Sequence, residues 1–188
     1  QADFVGLGGK IVASEGCTPG TQDFRTQLVK VKALKPEFIY IPLHPAESAI
    51  FLRQVKEVKV GVQIIGADNF SEKAILKTAG DAAEGVIFAM PAPPSGESYD
   101  IFEKKYKERF KEDASYTSAA AYDATQVLVN TVRKVGTSGE KVKDGLYEIK
   151  DYKGVSGVIG FDKNGDVTTK DFSVLQIKNG DYIPFNKS

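Results

Sequence analysis

Apolar residues follow two rhythms along the first half of the chain. Short continuous runs occur at Lys10–Ser14, Phe38–Pro42, Gly61–Gly66 and Gly85–Ala89. Between them lie one-sided stripes at helical spacing. Phe24, Leu28, Val31 and Leu34 form the first, and Ile50, Phe51, Gln54, Val55 and Val58 the second. Ile75, Leu76 and Ala79 form a shorter third. Unbroken apolar runs suit strands covered on both faces, as in a parallel sheet. Strand and helix in alternation predict consecutive right-handed βαβ units. Thr21 or Asp23 is placed to cap the first helix, Pro45 to open the second and Ser71 to cap the third.

The rhythm changes after Met90–Gly96 (MPAPPSG), which reads as a linker or crossing. Two longer helical patterns follow. One carries Ile101, Phe102, Tyr106 and Phe110. The other runs from about Ser118 to Val135 with Ala121, Thr125, Leu128 and Val132 near one face. Val142–Ile149 is a third. From Gly154 the text is β-like, with a run at Val155–Phe161, a turn at Asp162–Asp166, a run at Phe172–Ile177 and another at Tyr182–Phe185. Asn179-Gly180 between two of these runs is a hairpin signal. The expectation is an α/β protein in two lobes.

Charge narrows the function. Lys and Arg number 25, as do Asp and Glu, so the 188 residues carry no net charge. Nucleic-acid binding needs a basic excess on one face, and this balance argues against it. One cysteine, Cys17, excludes an internal disulfide and a thiolate metal cluster; one histidine, His44, excludes a multi-histidine metal site. No apolar run approaches the length of a membrane span. No cofactor is expected.

In a parallel sheet every loop leaving a strand's carboxyl end lies on one edge, where ligands of open α/β sheets bind. Pro42-Leu43-His44, Ala67-Asp68-Asn69-Phe70 and Met90-Pro91 are such loops. Asp68 is the acid directly at that edge. It suits a cationic ligand group, and it equally suits a helix cap before Ser71. His44 reads as a rim or capping residue, with no nucleophile in a recognisable setting beside it. Gly6–Lys10 lacks phosphate-loop spacing and precedes a strand. Asp162–Asp166 begins like a calcium loop, but its sixth position is Val167 and its twelfth Ser173, so a hairpin turn fits better.

Taken in order, several segments resemble one family: the periplasmic solute-binding proteins of branched-chain amino-acid ABC transporters, of the type I periplasmic-binding fold. The matching text is Gly9–Val12, Asp23-Phe24 with Leu28 and Val31–Pro36, Ile65–Asp68, Ala83–Val86, Ala120–Ala124, Gly154–Gly157 and Phe161–Asp166.

The resemblance implies two lobes joined by three crossings that close on a small amino acid by hinge motion. Residues 1–91, with a return at 171–188, look like the second lobe; 92–170 look like a partial first lobe. Family members are longer, so the chain looks like a C-terminal fragment whose missing N-terminal segment would hold the ligand-carboxylate partners. Asp68 falls where the family places an acid against the ligand's ammonium, with Asn69 beside it. Leu43 falls where an aromatic side chain often covers the ligand, and His44 shares that loop. Tyr116 and Thr117 fall near a side-chain pocket, just before the Ala-Ala-Tyr-Asp helix. The implied partners are an amino-acid ligand and a membrane permease, in the periplasm or outside the cell, with a lipid anchor in a single-membrane bacterium. A sensory ligand-binding domain of the same fold, or an α/β enzyme, are the alternatives.

Overall fold

The computed structural model describes residues 1–186. They divide into two units, Gln1–Met90 together with 173–186, and Pro91–Phe172. No helix among the described residues is long and apolar enough to cross a membrane.

The first unit is built on a five-stranded sheet. Strands β1 (Phe38–Ile41), β2 (Gln63–Gly66) and β3 (Ile87–Pro91) pair in parallel, and Ile39 sits opposite Ile64 in the β1–β2 register. β6 (Phe172–Lys178) and β7 (Asp181–Pro184) complete the order β1-β2-β3-β6-β7. β6 and β7 pair antiparallel across Asn179-Gly180, and both turn residues have positive φ, 54° and 78°. That is the twist a two-residue hairpin requires. Gly85 N donates to Ile177 O and Ile177 N to Val86 O, each at 2.9 Å, so the sheet continues from the β3 end onto β6.

Three helices flank this sheet: α2 (Arg25–Ala33), α3 (Pro45–Val58) and α4 (Lys73–Ala79), after a short α1 (Ala2–Gly6). Their stripes and the strands enclose one core, in which Leu28, Leu52, Phe70, Ile75, Val86, Phe88 and Ile177 are each at most 2% exposed. Pro45 occupies the first turn of α3.

The second unit contains α5 (Glu97–Phe110), α6 (Tyr116–Val135), α7 (Gly139–Tyr147) and an antiparallel pair, β4 (Tyr152–Gly154) and β5 (Gly157–Ile159). Phe102 packs against Tyr106 on α5 and Tyr122 on α6, with ring centroids 5.7 and 5.2 Å away.

Several expectations are corrected. Lys10–Ser14 is not a strand. An isolated run cannot form one without a neighbour to take its backbone N–H and C=O groups. Among the described residues it has none, and Ile11 and Val12 stay partly exposed. The single run expected over Val155–Phe161 is interrupted, because the chain reverses at Val155-Ser156 between β4 and β5. Neither Thr21 nor Asp23 is the N-cap of α2. That position is Phe24, whose backbone N–H donates to Gln54 Oε1 at 2.7 Å, while Asp23 Oδ1 accepts from Arg25 N at 3.0 Å. Ser71 does not cap α4; it ends a 3-10 turn over Asp68–Ser71, and Glu72 is the N-cap. Ser115 caps α6, three residues before the expected start near Ser118, through a reciprocal pair with that residue. Ser118 N donates to Ser115 Oγ at 3.1 Å and Ser115 N to Ser118 Oγ at 2.8 Å.

Candidate functional site

Parallel pairing puts the loops after β1 and β2 on one edge of the first sheet, and side chains tie those loops together. Asn69 Nδ2 donates to Leu43 O at 2.6 Å and to Ser48 Oγ at 3.2 Å. Ser48, fully buried in the first turns of α3, donates its hydroxyl to Leu43 O at 3.1 Å. Leu43 O therefore accepts two hydrogen bonds, which fills both lone pairs. Below this ring of bonds Phe70 is fully buried, packed over Gly66 and 6.2 Å from Phe88. A Cβ at Gly66 would overlap the Phe70 ring, so glycine is what lets the loop fold back over the strand end.

Asp68 emerges from this anchored turn with an exposed side chain. Its carboxylate makes no hydrogen bond or ion pair with another described residue. It does not cap α4, whose N-cap Glu72 lies four positions further on. Of the two roles open to Asp68 in the sequence, the helix-cap role is absent. His44 is exposed and is the N-cap residue of α3 through its backbone, without a side-chain cap bond. Leu43 is half-buried and packs on the core.

A second acid near this edge is engaged internally. Glu47, in the first turn of α3, accepts from Gly20 N at 2.8 Å through Oε1. The Gly20 N–H, then Glu47's own backbone N–H and nearby His44, hold its carboxyl below the ordinary range against a burial effect of opposite sign. Glu47 thus pins the Pro19-Gly20 loop to α3.

Tyr116 and Thr117 belong to the other unit. They are the first two residues of α6 and not the stretch before it, Tyr116 half-buried and Thr117 exposed. The site residues read from the sequence are therefore two groups. Leu43, His44, Asp68 and Asn69 share one edge of the first unit, whereas Tyr116 and Thr117 sit at a helix start in the second.

A further polar centre explains two of the segments that carried the resemblance. Asp123, in the middle of α6, is 1% exposed. Its Oδ1 accepts from Val155 N at 2.9 Å and its Oδ2 from Ser156 N at 2.7 Å. A Cβ on Gly154 would collide with that carboxylate, and Gly157 has φ 105°. The Tyr122-Asp123 and Gly154–Gly157 segments are thus two halves of one contact, a buried carboxylate holding the β4–β5 reversal. Lys170 closes it, donating to Ser156 O at 2.5 Å and to Ser156 Oγ at 3.0 Å. Burial pushes the Lys170 ammonium below its usual range, and Asp123 opposes that.

The Asp162–Asp166 turn uses its acid in the same inward way. Asp162 Oδ1 accepts from Asn164 N at 2.8 Å and Asp166 N at 2.9 Å. These N–H groups hold its carboxyl below the ordinary range. Among the described residues no cluster of three or more His, Cys, Asp or Glu is arranged to hold a metal. Cys17 is an exposed free thiol.

Comparison with known proteins agrees with this architecture. A family model described as periplasmic binding protein matches residues 4–181. The leucine-, isoleucine-, valine-, threonine- and alanine-binding protein of Pseudomonas aeruginosa is 27% identical over 173 residues, covering 89% of this chain and 45% of its own length. The leucine-binding protein LivK of Thermotoga maritima superimposes with TM-score 0.84 at 28% identity, over 98% of this chain and 53% of that one. The branched-chain amino-acid substrate-binding protein LivJ of Streptococcus pneumoniae, solved with isoleucine, does so with TM-score 0.73 at 26% identity, over 93% of this chain and 51% of its own. The chain spans about half the length of these relatives. With a parallel sheet whose carboxyl-edge loops are tied together, and a family match running through both units, the chain belongs to the periplasmic binding proteins.

Proposed function

We propose that this chain belongs to the solute-binding component of an ABC importer, and that the edge carrying Asp68 receives the ammonium group of a small amino acid, branched-chain or related. The observation that carries the reading is Asp68 itself. It is an exposed carboxylate without a partner among the described residues, on a loop whose other members are anchored. A carboxylate so held forms a charge-assisted hydrogen bond with an ammonium at little reorganisation cost. Leu43 and His44 flank it on the adjoining loop of the same unit.

The relatives are binding proteins, and we read this protein as a carrier without catalytic turnover, working in the periplasm or outside the cell and delivering its solute to a membrane permease. In this reading residues 1–91 with the 171–188 return form the second lobe, and 92–170 form part of the first. The portion of the relatives' length that this chain does not span supplies the partners of the ligand's carboxylate.

Titration calorimetry of leucine, isoleucine, valine, alanine and threonine into the full-length gene product tests the reading. Asp68→Asn should weaken the tightest of them by about 2–4 kcal/mol, because the ligand ammonium keeps its desolvation cost and loses its charged partner. Equal dissociation constants for wild type and variant would refute the role of Asp68.

A further inference from the structure

We infer that Asn69 and Ser48 are positioning residues for the ligand-facing carboxylate of Asp68, and that Asn69 does not itself contact the ligand. The inference deepens the proposed amino-acid site and rests on that reading.

Both amide hydrogens of Asn69 point into the protein, one to Leu43 O and one to Ser48 Oγ. Ser48 Oγ in turn donates to the same Leu43 oxygen. Three polar groups thus make a closed set of three hydrogen bonds between the loop after β1 and the loop after β2. The remaining amide oxygen, Asn69 Oδ1, is buried and has no partner among the described residues, so no face of this amide is presented to solvent. A flipped amide would set its oxygen against Leu43 O, which fixes the orientation seen.

The neighbours of Asp68 are held as tightly. Phe70 N donates to Ala67 O at 3.1 Å, and Glu72 N donates to Asn69 O at 3.0 Å. Phe70 fills the space above Gly66. The backbone is therefore clamped on both sides of Asp68, and Asp68 is the one polar side chain between those clamps that is left exposed. The same ring of bonds fixes Leu43 relative to it. A binding group acts at full strength only when its supporting residues hold it to within a fraction of an ångström.

A double-mutant cycle, read by titration with leucine into the full-length gene product, separates positioning from mere stability. Asn69→Ala should raise the dissociation constant about tenfold in the wild-type background and less than about twofold when Asp68 is already Asn, because coupled residues are non-additive. Ser48→Ala removes two of the ring's three bonds without adding volume and leaves the direct one from Asn69 Nδ2 to Leu43 O. It should show the same coupling on a smaller scale, and it serves where Asn69→Ala does not fold. Equal penalties in both backgrounds, or a lower melting temperature with unchanged affinity, would overturn the inference while leaving Asp68 as the ligand's partner. An Asp68→Asn affinity equal to wild type would remove the ligand reading and this inference together.

Discussion

Replacing Asp123 by Asn removes a single charge from the second unit and should open its β4–β5 reversal. In the native chain each carboxylate oxygen accepts one backbone N–H, from Val155 at 2.9 Å and from Ser156 at 2.7 Å, at a residue only 1% exposed. An amide keeps one acceptor. Its NH2 must then face the other N–H, so one donor is left buried without a partner. The surviving bond also falls from a charge-assisted to a neutral one. A hydrogen bond to a charged group contributes about 1.5–3 kcal/mol, and stranding a buried donor costs about 1–3 kcal/mol, with the two overlapping. The expected loss is therefore about 2–4 kcal/mol. Lys170 loses the opposite charge that counters its burial, which adds in the same direction. Because the chain forms two units, hydrogen exchange is the suitable assay, since it reads each unit separately. The amides of Val155, Ser156 and the middle of α6 should exchange on the order of 30-fold faster or more, and those of α3 and β2 should change little. Exchange at 155–156 within about twofold of wild type would refute the argument that this carboxylate holds the reversal.

Gln54→Leu should lower stability by about 1–3 kcal/mol in urea unfolding, because Phe24 N loses its acceptor inside the core of the first unit. Gly66→Ala should cost about 1–3 kcal/mol by forcing Phe70 out of place, and its near-ultraviolet spectrum should report the displaced aromatic cluster. Asp162 has a folded-state value held below its unfolded one by backbone N–H groups. Its stabilisation is full above the unfolded value and disappears as pH falls through the folded value. Asp162→Asn should accordingly flatten the acid limb of the stability–pH curve of the second unit, and an unchanged limb would count against it.

In the first unit much of the fold was legible because periodicity and burial largely coincide there, whereas on α6 the expected face with Ala121, Thr125 and Leu128 is exposed and Ala119, Asp123, Val127 and Thr131 are buried. Strand-length apolar runs at 38–42, 61–66 and 85–89 became the three parallel strands, and Asn179-Gly180 became the β6–β7 turn. The run at 10–14 was misread because strand pairing is a property of two segments, and a sequence pattern describes only one. Caps were misplaced for a similar reason. Phe24 ends up at the start of α2 because Gln54, distant in sequence, satisfies its N–H.

At the site, the sequence alone placed Leu43, His44, Asp68 and Asn69 on loops that a parallel sheet brings to a single edge. The Ala120–Ala124 and Gly154–Gly157 segments stand out in the sequence as two of several that resemble the family, with nothing there to join one to the other. Whether a polar side chain faces inward or outward was beyond it. Asp68 and Asp123 are the same residue type in similarly polar surroundings in the text, yet one is exposed and the other sealed beneath a hairpin. Ser48, unremarkable in the chain, became part of the Leu43–Asn69 ring only when α3 was laid against the β2 loop. Hydrogen-bond partners are chosen by distances of about 3 Å between residues far apart in sequence, and only the folded chain brings those atoms into range.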